Sequence, residues 1–192
     1  MKQLFTIILI WGILFTGAVN AQTFVPTDYL DYSIDAVRVY KSHIPSDSIV
    51  LHSVSVPVKH DDPGLRTLIS MMYKTVTDSL SRGVGIAAPQ IGINKRVVLV
   101  QRFDKPNEPF EAYINPTIIK YSNLKAMRAE GCLSIDDIRS DVERSYAIFL
   151  SYFSIDGEFK MEMVEDFVAR IFQHEIDHLD GILFTERLEI PK

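Results

Sequence analysis

His174-Glu175-Ile176-Asp177-His178 sets two imidazoles four positions apart, with an acid directly after the first. On a helix, residues i and i+4 lie side by side, so the two rings can clasp one cation. Glu175 sits about 100° around the helix from His174. It is near such a cation but poorly placed to ligate together with both histidines, which leaves its carboxylate free to act as a general base. A catalytic centre of this kind needs a third protein ligand and an open position for water. A distant His or Glu could serve. Of the five histidines in the chain, however, His43, His52 and His60 lie in the N-terminal part without motif context. The single cysteine, Cys132, in Glu130-Gly131-Cys132-Leu133-Ser134, is the better candidate. A Cys-His-His set with one open corner suits Zn²⁺ or Fe²⁺. The alternative is that Cys132 is a small buried hydrophobe.

A third stretch, GVGIAAPQIG over 83–92, combines glycines with small alanines and allows close backbone approach by another element or a ligand. It lacks the Gly-Lys-Ser/Thr ending of a phosphate loop and the spacing of a dinucleotide turn. Gln90 offers an amide donor that could meet an oxyanion. Together these residues point to metal-assisted hydrolysis of an amide-like carbonyl.

The elements that must position them follow from periodicity. Phe167, Ile171, His174 and His178 fall at spacings of four, three and four on one apolar face of a helix running from about Glu165 to Gly181, so both imidazoles face inward. A second, more N-terminal helix is expected from about Pro63 to Arg82. Asp62 would be its N-cap, Pro63 its first residue, and Leu65, Leu68, Ile69, Met72, Val76 and Leu80 its apolar stripe; Gly83 would close it. Segments 96–103, 111–116, 145–153 and 158–164 read as strands, the last two joined by a turn at Asp156-Gly157. Cys132 falls at the edge of this strand region. Residues 22–50 show little periodicity, and there is no internal repeat.

With 192 residues, 47% hydrophobic and 23% charged, the chain suits one globular domain with a real core. A net charge of −5 and the lack of a basic cluster argue against nucleic acid as a partner. The first 21 residues differ from the rest. Lys2, the run LFTIILIWGILF, and a small-residue site at Val19 and Ala21 have the layout of a cleaved secretory signal. The apolar run is shorter than the roughly 20 residues of a spanning helix. Export to the periplasm or the medium is therefore expected, with no stable membrane insertion after cleavage; the alternative is a tether through an uncleaved signal. A lone thiol outside the cytoplasm must be buried or held. The expected divisions are 1–21 signal, 22–47 N-terminal extension and 48–192 catalytic domain. With the chain ending at Lys192, no long C-terminal helix is expected.

In that order, GVGIAAPQ (83–90), EGCLS (130–134) and HEIDH (174–178) resemble the three motifs of the peptide deformylases, and the resemblance extends from about Ser48 to Leu188. It implies an α+β fold with antiparallel sheets around the metal-binding helix. It implies Cys132, His174 and His178 as ligands of one ion per chain, usually Fe²⁺, with Zn²⁺ or Ni²⁺ able to substitute. Glu175 would be the general base and acid, while Gln90 and the Leu133 N–H would form the oxyanion hole. The Gly85 backbone would align substrate, and Val84, Phe167 and Ile171 would wall a methionine pocket. Substrates would be N-formyl-methionyl peptides, with formate released. Arg139 and Arg144 match arginines of the family, and Asp177 is expected to form a structural ion pair, with Arg144 as its partner. The chain departs from the family pattern at Asp136-Asp137, where an apolar residue, Pro and often Gly are common, and at Arg128, where an apolar pocket residue is common. A non-catalytic formyl-peptide binder and a hydrolase of another small N-acyl amide remain as alternative functions.

Overall fold

The computed structural model describes residues 29–59, 61–79 and 82–188. The leader read over 1–21, His60 and Leu80 lie outside the described residues. Chain order runs through α1 (Pro45–Leu51), α2 (Leu65–Thr77), β1 (Gly85–Ala87), a 3₁₀ turn (Ala88–Ile91), β2 (Val97–Gln101), β3 (Phe110–Tyr121), β4 (Lys125–Cys132), β5 (Ile135–Ser145), β6 (Ala147–Phe153), β7 (Phe159–Glu165), α3 (Asp166–Leu179) and a closing 3₁₀ turn (Phe184–Arg187). Five strands form one antiparallel sheet in the order β1-β2-β3-β6-β7, and β4 and β5 form a separate two-stranded ribbon. No described helix is long and apolar enough to cross a membrane.

The expected α+β architecture is present, with α3 at its centre. The periodicity of α3 predicted one buried face, yet every residue from Val168 to Leu179 is buried. The polar residues on its other faces are neutralised rather than solvated. Arg170 meets Glu130, Asp177 meets Arg144 and Arg187, and Gln173 exchanges two hydrogen bonds with the Ser145 backbone. Ile171 and Phe172 pack into one apolar cluster with Val98, Val100, Ile148 and Leu150 of the sheet. Helix α2 packs Leu68, Ile69, Met72 and Val76 against Ile86, Val97 and Leu99.

Several boundaries differ from those expected, among them β3, which runs past 116 to Tyr121. Helix α2 begins at Leu65, not Pro63, because the Asp62 carboxylate caps the turn before it, accepting from the Gly64 N–H, and also pairs with Lys95. It stops at Thr77. Helix α1 was not expected, since seven residues hold too little periodicity to read. It straddles the division drawn at Ser48. Residues before it are tied to the core: the Tyr40 N–H donates to the Gln90 carbonyl (2.8 Å) and the Ser42 N–H to the Ser134 carbonyl (2.9 Å).

Candidate metal centre

The β4–β5 ribbon carries Cys132 at its turn, and the register slips between Glu130 and Cys132. That irregularity drops the sulfur onto α3. Cys132 Sγ lies 3.2 Å from His178 Nε2, and one donor atom each from Cys132, His174 and His178 lie within 4.8 Å of one another. The three residues expected as ligands are thus brought together. This is the one such group among the described residues.

The surroundings fit a cation. Glu130 Oε2 lies 3.0 Å from His174 Nδ1, which leaves Nε2 of that ring for a ligand role. Burial alone would push the Cys132 thiol up, but the His178 and His174 rings beside it hold it well below its usual value. A sulfur poised as thiolate beside two imidazoles is a donor set for Zn²⁺ or Fe²⁺. The Ser134 N–H (3.4 Å) and Gln90 Nε2 (3.6 Å) both donate to that sulfur.

Glu175 sits beside this group and is 4% exposed. Its Oε2 has no hydrogen-bond partner among the described residues. Burial pushes its carboxyl up to about 7, against the pull of the two histidines. A buried carboxylate with one oxygen left without a partner, beside a cation notch, is placed to take and return a proton.

Gln90 is fixed by its own turn: the Ala87 N–H donates to its Oε1 (2.8 Å), and its Nε2 reaches Ser134 Oγ (3.3 Å). A cleft of about 580 Å³ opens over the centre. Val84, Gly85, Phe167 and Ile171 all line it, together with Gln90, Leu133, His174 and Glu175. Gly85 has a physical reason to be glycine. A Cβ there would stand 2.6 Å from Glu175 Oε1 and 2.7 Å from Ile171 Cγ2. Gly85→Ala should therefore push the carboxylate aside. A misplacement of about 1 Å can cost on the order of 10²-fold in rate, and kcat is expected to fall by about that factor with metal content unchanged.

Sequence reasoning singled out Glu130 only as part of a motif. In the structure it is a hub, accepting from Arg144 Nε and Nη2 (3.0 Å each) and from Arg170 Nη1 (2.6 Å). Arg170 was not foreseen; its periodic position next to Ile171 was the available signal. The expected ion pair of Asp177 with Arg144 is present, and Arg187 adds a second (2.6 Å). Arg139 is exposed at the cleft. The two departures from the family pattern separate. Asp137, at φ +57°, lines the cleft, whereas Asp136 turns away to Lys41 (2.6 Å). Arg128 pairs with Asp166 (2.8 Å) and does not line the cleft.

A family model described as polypeptide deformylase matches residues 39–192. A peptide deformylase from Synechocystis is 36% identical over 150 residues, covering 78% of this chain and 79% of that one. One from Thermotoga neapolitana is 39% identical over 143 residues, covering 74% and 84%. Among solved structures, the class I type b peptide deformylase from Acinetobacter baumannii with Met-Ala-Ser bound matches with a TM-score of 0.70 and 36% identity, over 80% of this chain and 98% of that one. The peptide deformylase of Thermotoga maritima matches at 0.72 and 34% identity, over 82% and 100%. With the cysteine–histidine notch, the unpartnered acid and the order of the three motifs, these matches lead to one conclusion: the chain belongs to the peptide deformylase family and is a metal-dependent hydrolase that removes the N-formyl group from peptides.

Proposed function

We propose that Cys132, His174 and His178 hold one Fe²⁺ per chain, which Zn²⁺ or Ni²⁺ can replace, and that the cleft takes N-formyl-methionyl peptides. The observation that carries this reading is the meeting of the Cys132 sulfur and two imidazoles in one notch, with the Glu175 carboxyl beside it. A divalent cation bound there supplies Lewis acidity and brings the pKa of water toward neutrality. Glu175 takes the proton of the attacking water at its carboxylate and returns it to the leaving amine. Gln90 Nε2 and the Leu133 N–H donate to the oxyanion that develops on the formyl oxygen. The Gly85 backbone aligns the peptide, and Val84, Phe167 and Ile171 receive the methionine side chain. The Met-Ala-Ser peptide bound to the Acinetobacter baumannii enzyme supports a methionine in that place.

Removing an oxyanion donor costs about 10²–10³-fold in kcat. Gln90→Leu is expected to fall in that range with metal content close to the parent; because the buried Ala87 N–H and Ser134 hydroxyl lose their partner, it should also unfold more easily by about 1–3 kcal/mol. Protein purified anaerobically and loaded with Fe²⁺ should release formate from formyl-Met-Ala-Ser. Chelation should stop release and Fe²⁺ should restore it. A loaded protein that binds the peptide without releasing formate would return the function to a binder.

We further propose that residues 1–21 direct export and that the substrates are formylated peptides outside the cytoplasm. The layout of Lys2, the apolar run and the Val19–Ala21 site supports this. Cell fractionation with N-terminal sequencing tests it. A mature N terminus at Gln22 in the periplasm or the medium is expected, and an intact Met1 in the cytoplasm would overturn it.

A further inference from the structure

We propose that Lys41 is a positioning residue for the deformylation, acting on the centre through the turn that follows Cys132. This rests on the reading of Cys132 as a metal ligand and of the Leu133 N–H as an oxyanion donor. Leu133 and Ser134 are the two turn residues between β4 and β5. The substrate cleft and a second cavity of about 520 Å³ are both lined by Leu133 and Ile135, so the turn is a wall between them. Space on both faces leaves the backbone of this wall to be placed by hydrogen bonds.

The segment ahead of α1 supplies them. Three consecutive residues each bond to a residue of the site. The Tyr40 N–H donates to the Gln90 carbonyl (2.8 Å), Lys41 Nζ to the Leu133 carbonyl (2.9 Å) and the Ser42 N–H to the Ser134 carbonyl (2.9 Å). The first and last are backbone contacts open to nearly any residue type. The middle one is made by a side chain and brings a charge. Lys41 is itself held from two sides. Nζ also donates to Asp136 Oδ1 (2.6 Å), and the Lys41 N–H donates to Asp47 Oδ2 (3.0 Å), a buried carboxylate that both Nη atoms of Arg38 reach as well.

The peptide group that Lys41 grips works at both ends. Its carbonyl, on Leu133, accepts from the ammonium, and its N–H, on Ser134, donates to Cys132 Sγ (3.4 Å). A cation on the oxygen draws charge from the nitrogen and strengthens the N–H···S bond, because linked hydrogen bonds polarise one another. Hydrogen bonds around a ligating sulfur stabilise its charge and lower its electron donation. The same grip fixes the Cα of Leu133, and the oxyanion donor is the N–H on the other side of that Cα. One ammonium group thereby sets both the sulfur and the donor without touching substrate.

Lys41→Met keeps the apolar stem and removes the cation. With Fe²⁺ bound, its kcat is expected to fall about 10-fold, the low end of the range for partners behind a metal ligand. KM for formyl-Met-Ala-Ser should stay at the parental value, since the oxyanion donor acts in the transition state. The second readout is the sulfur-to-metal charge-transfer absorption of the Co²⁺-loaded protein. It should move to longer wavelength in Lys41→Met, where the sulfur loses part of its stabilisation, and return in Lys41→Arg, which restores the cation. Asp136→Asn leaves the ammonium on Leu133 and should keep the parental band. Should Lys41→Met not fold, the equally neutral Lys41→Gln carries the same expectation. An unmoved band in the neutral variant would overturn the proposal. So would an Asp136→Asn or Lys41→Arg band displaced as far as that of Lys41→Met, because the shape of the turn and not the charge on Leu133 would then be the cause. A parent that binds Co²⁺ without any sulfur band is a different failure: it would remove Cys132 from the ligand set, and the proposal with it.

Discussion

Glu175→Gln is expected to lower kcat by about 10²–10⁴-fold, the usual contribution of a positioned general base, while the protein keeps one metal ion per chain. The amide has the shape of the carboxylate it replaces, and Cys132, His174 and His178 are untouched. Glu175 is not needed for packing charge either: its Oε2 lacks a partner among the described residues, so a neutral group there leaves no stranded cation. Loss of rate without loss of metal or stability would separate proton transfer from ligation. The pH profile adds a second reading. Burial holds the Glu175 carboxyl up to about 7, and the base acts only when ionised, so the rate rises with pH through this group. A dication in the notch favours the ionised form and moves that limb below 7. The limb should be present in the parent and missing in Glu175→Gln. A variant with parental rate and an unchanged acid limb would place the base elsewhere.

The chemistry was more legible than the fold that holds it. Helix α3 and its two histidines could be read because i, i+4 spacing on a helix is a local geometric fact, whereas Cys132 was chosen by its motif context and the cleft-lining Val84, Gly85, Phe167 and Ile171 came from the family resemblance. The β4–β5 ribbon was missed outside its motif. KAMRAEGC and IDDIRSDVERS show no apolar alternation, because both faces of the ribbon are largely exposed. Its buried positions include Glu130 and Arg144, whose burial depends on partners 40 and 33 residues away on α3. No window of sequence contains such a pair. Helix α1 and the strap at Tyr40 and Ser42 were missed for a related reason: the strap is held by backbone hydrogen bonds, which leave no mark on residue type. The burial of α3 all round from Val168 to Leu179 follows the same rule, since periodicity registers apolar faces and is blind to a polar face neutralised by ion pairs.

Glu130→Gln tests that hidden part of the site, and the expected loss is in stability. One carboxylate accepts from Arg144 twice, from Arg170, and lies against His174 Nδ1. Burial would raise its pKa, but His174 and Arg144 hold it down to about 2. Arg144 would keep Asp177, whereas Arg170 would be left with the backbone carbonyls of Ala126, Arg128 and Val142. The glutamine amide would also turn a donor toward groups that can only donate. Breaking a buried pair by removing one partner costs about 3–5 kcal/mol, and denaturant unfolding of the metal-free proteins should show a difference of that size at neutral pH. The sign with pH follows from the depressed value. The contribution is present above the ordinary carboxyl pKa of 4.5 and is lost as pH falls toward about 2, so the two stability curves should converge on acidification. Metal affinity should fall by about 10–100-fold as well, because the same carboxylate orients the His174 ring. A variant as stable as the parent at neutral pH would mean that Arg144 and Arg170 find other partners, and that the ribbon is held to α3 by packing instead of charge.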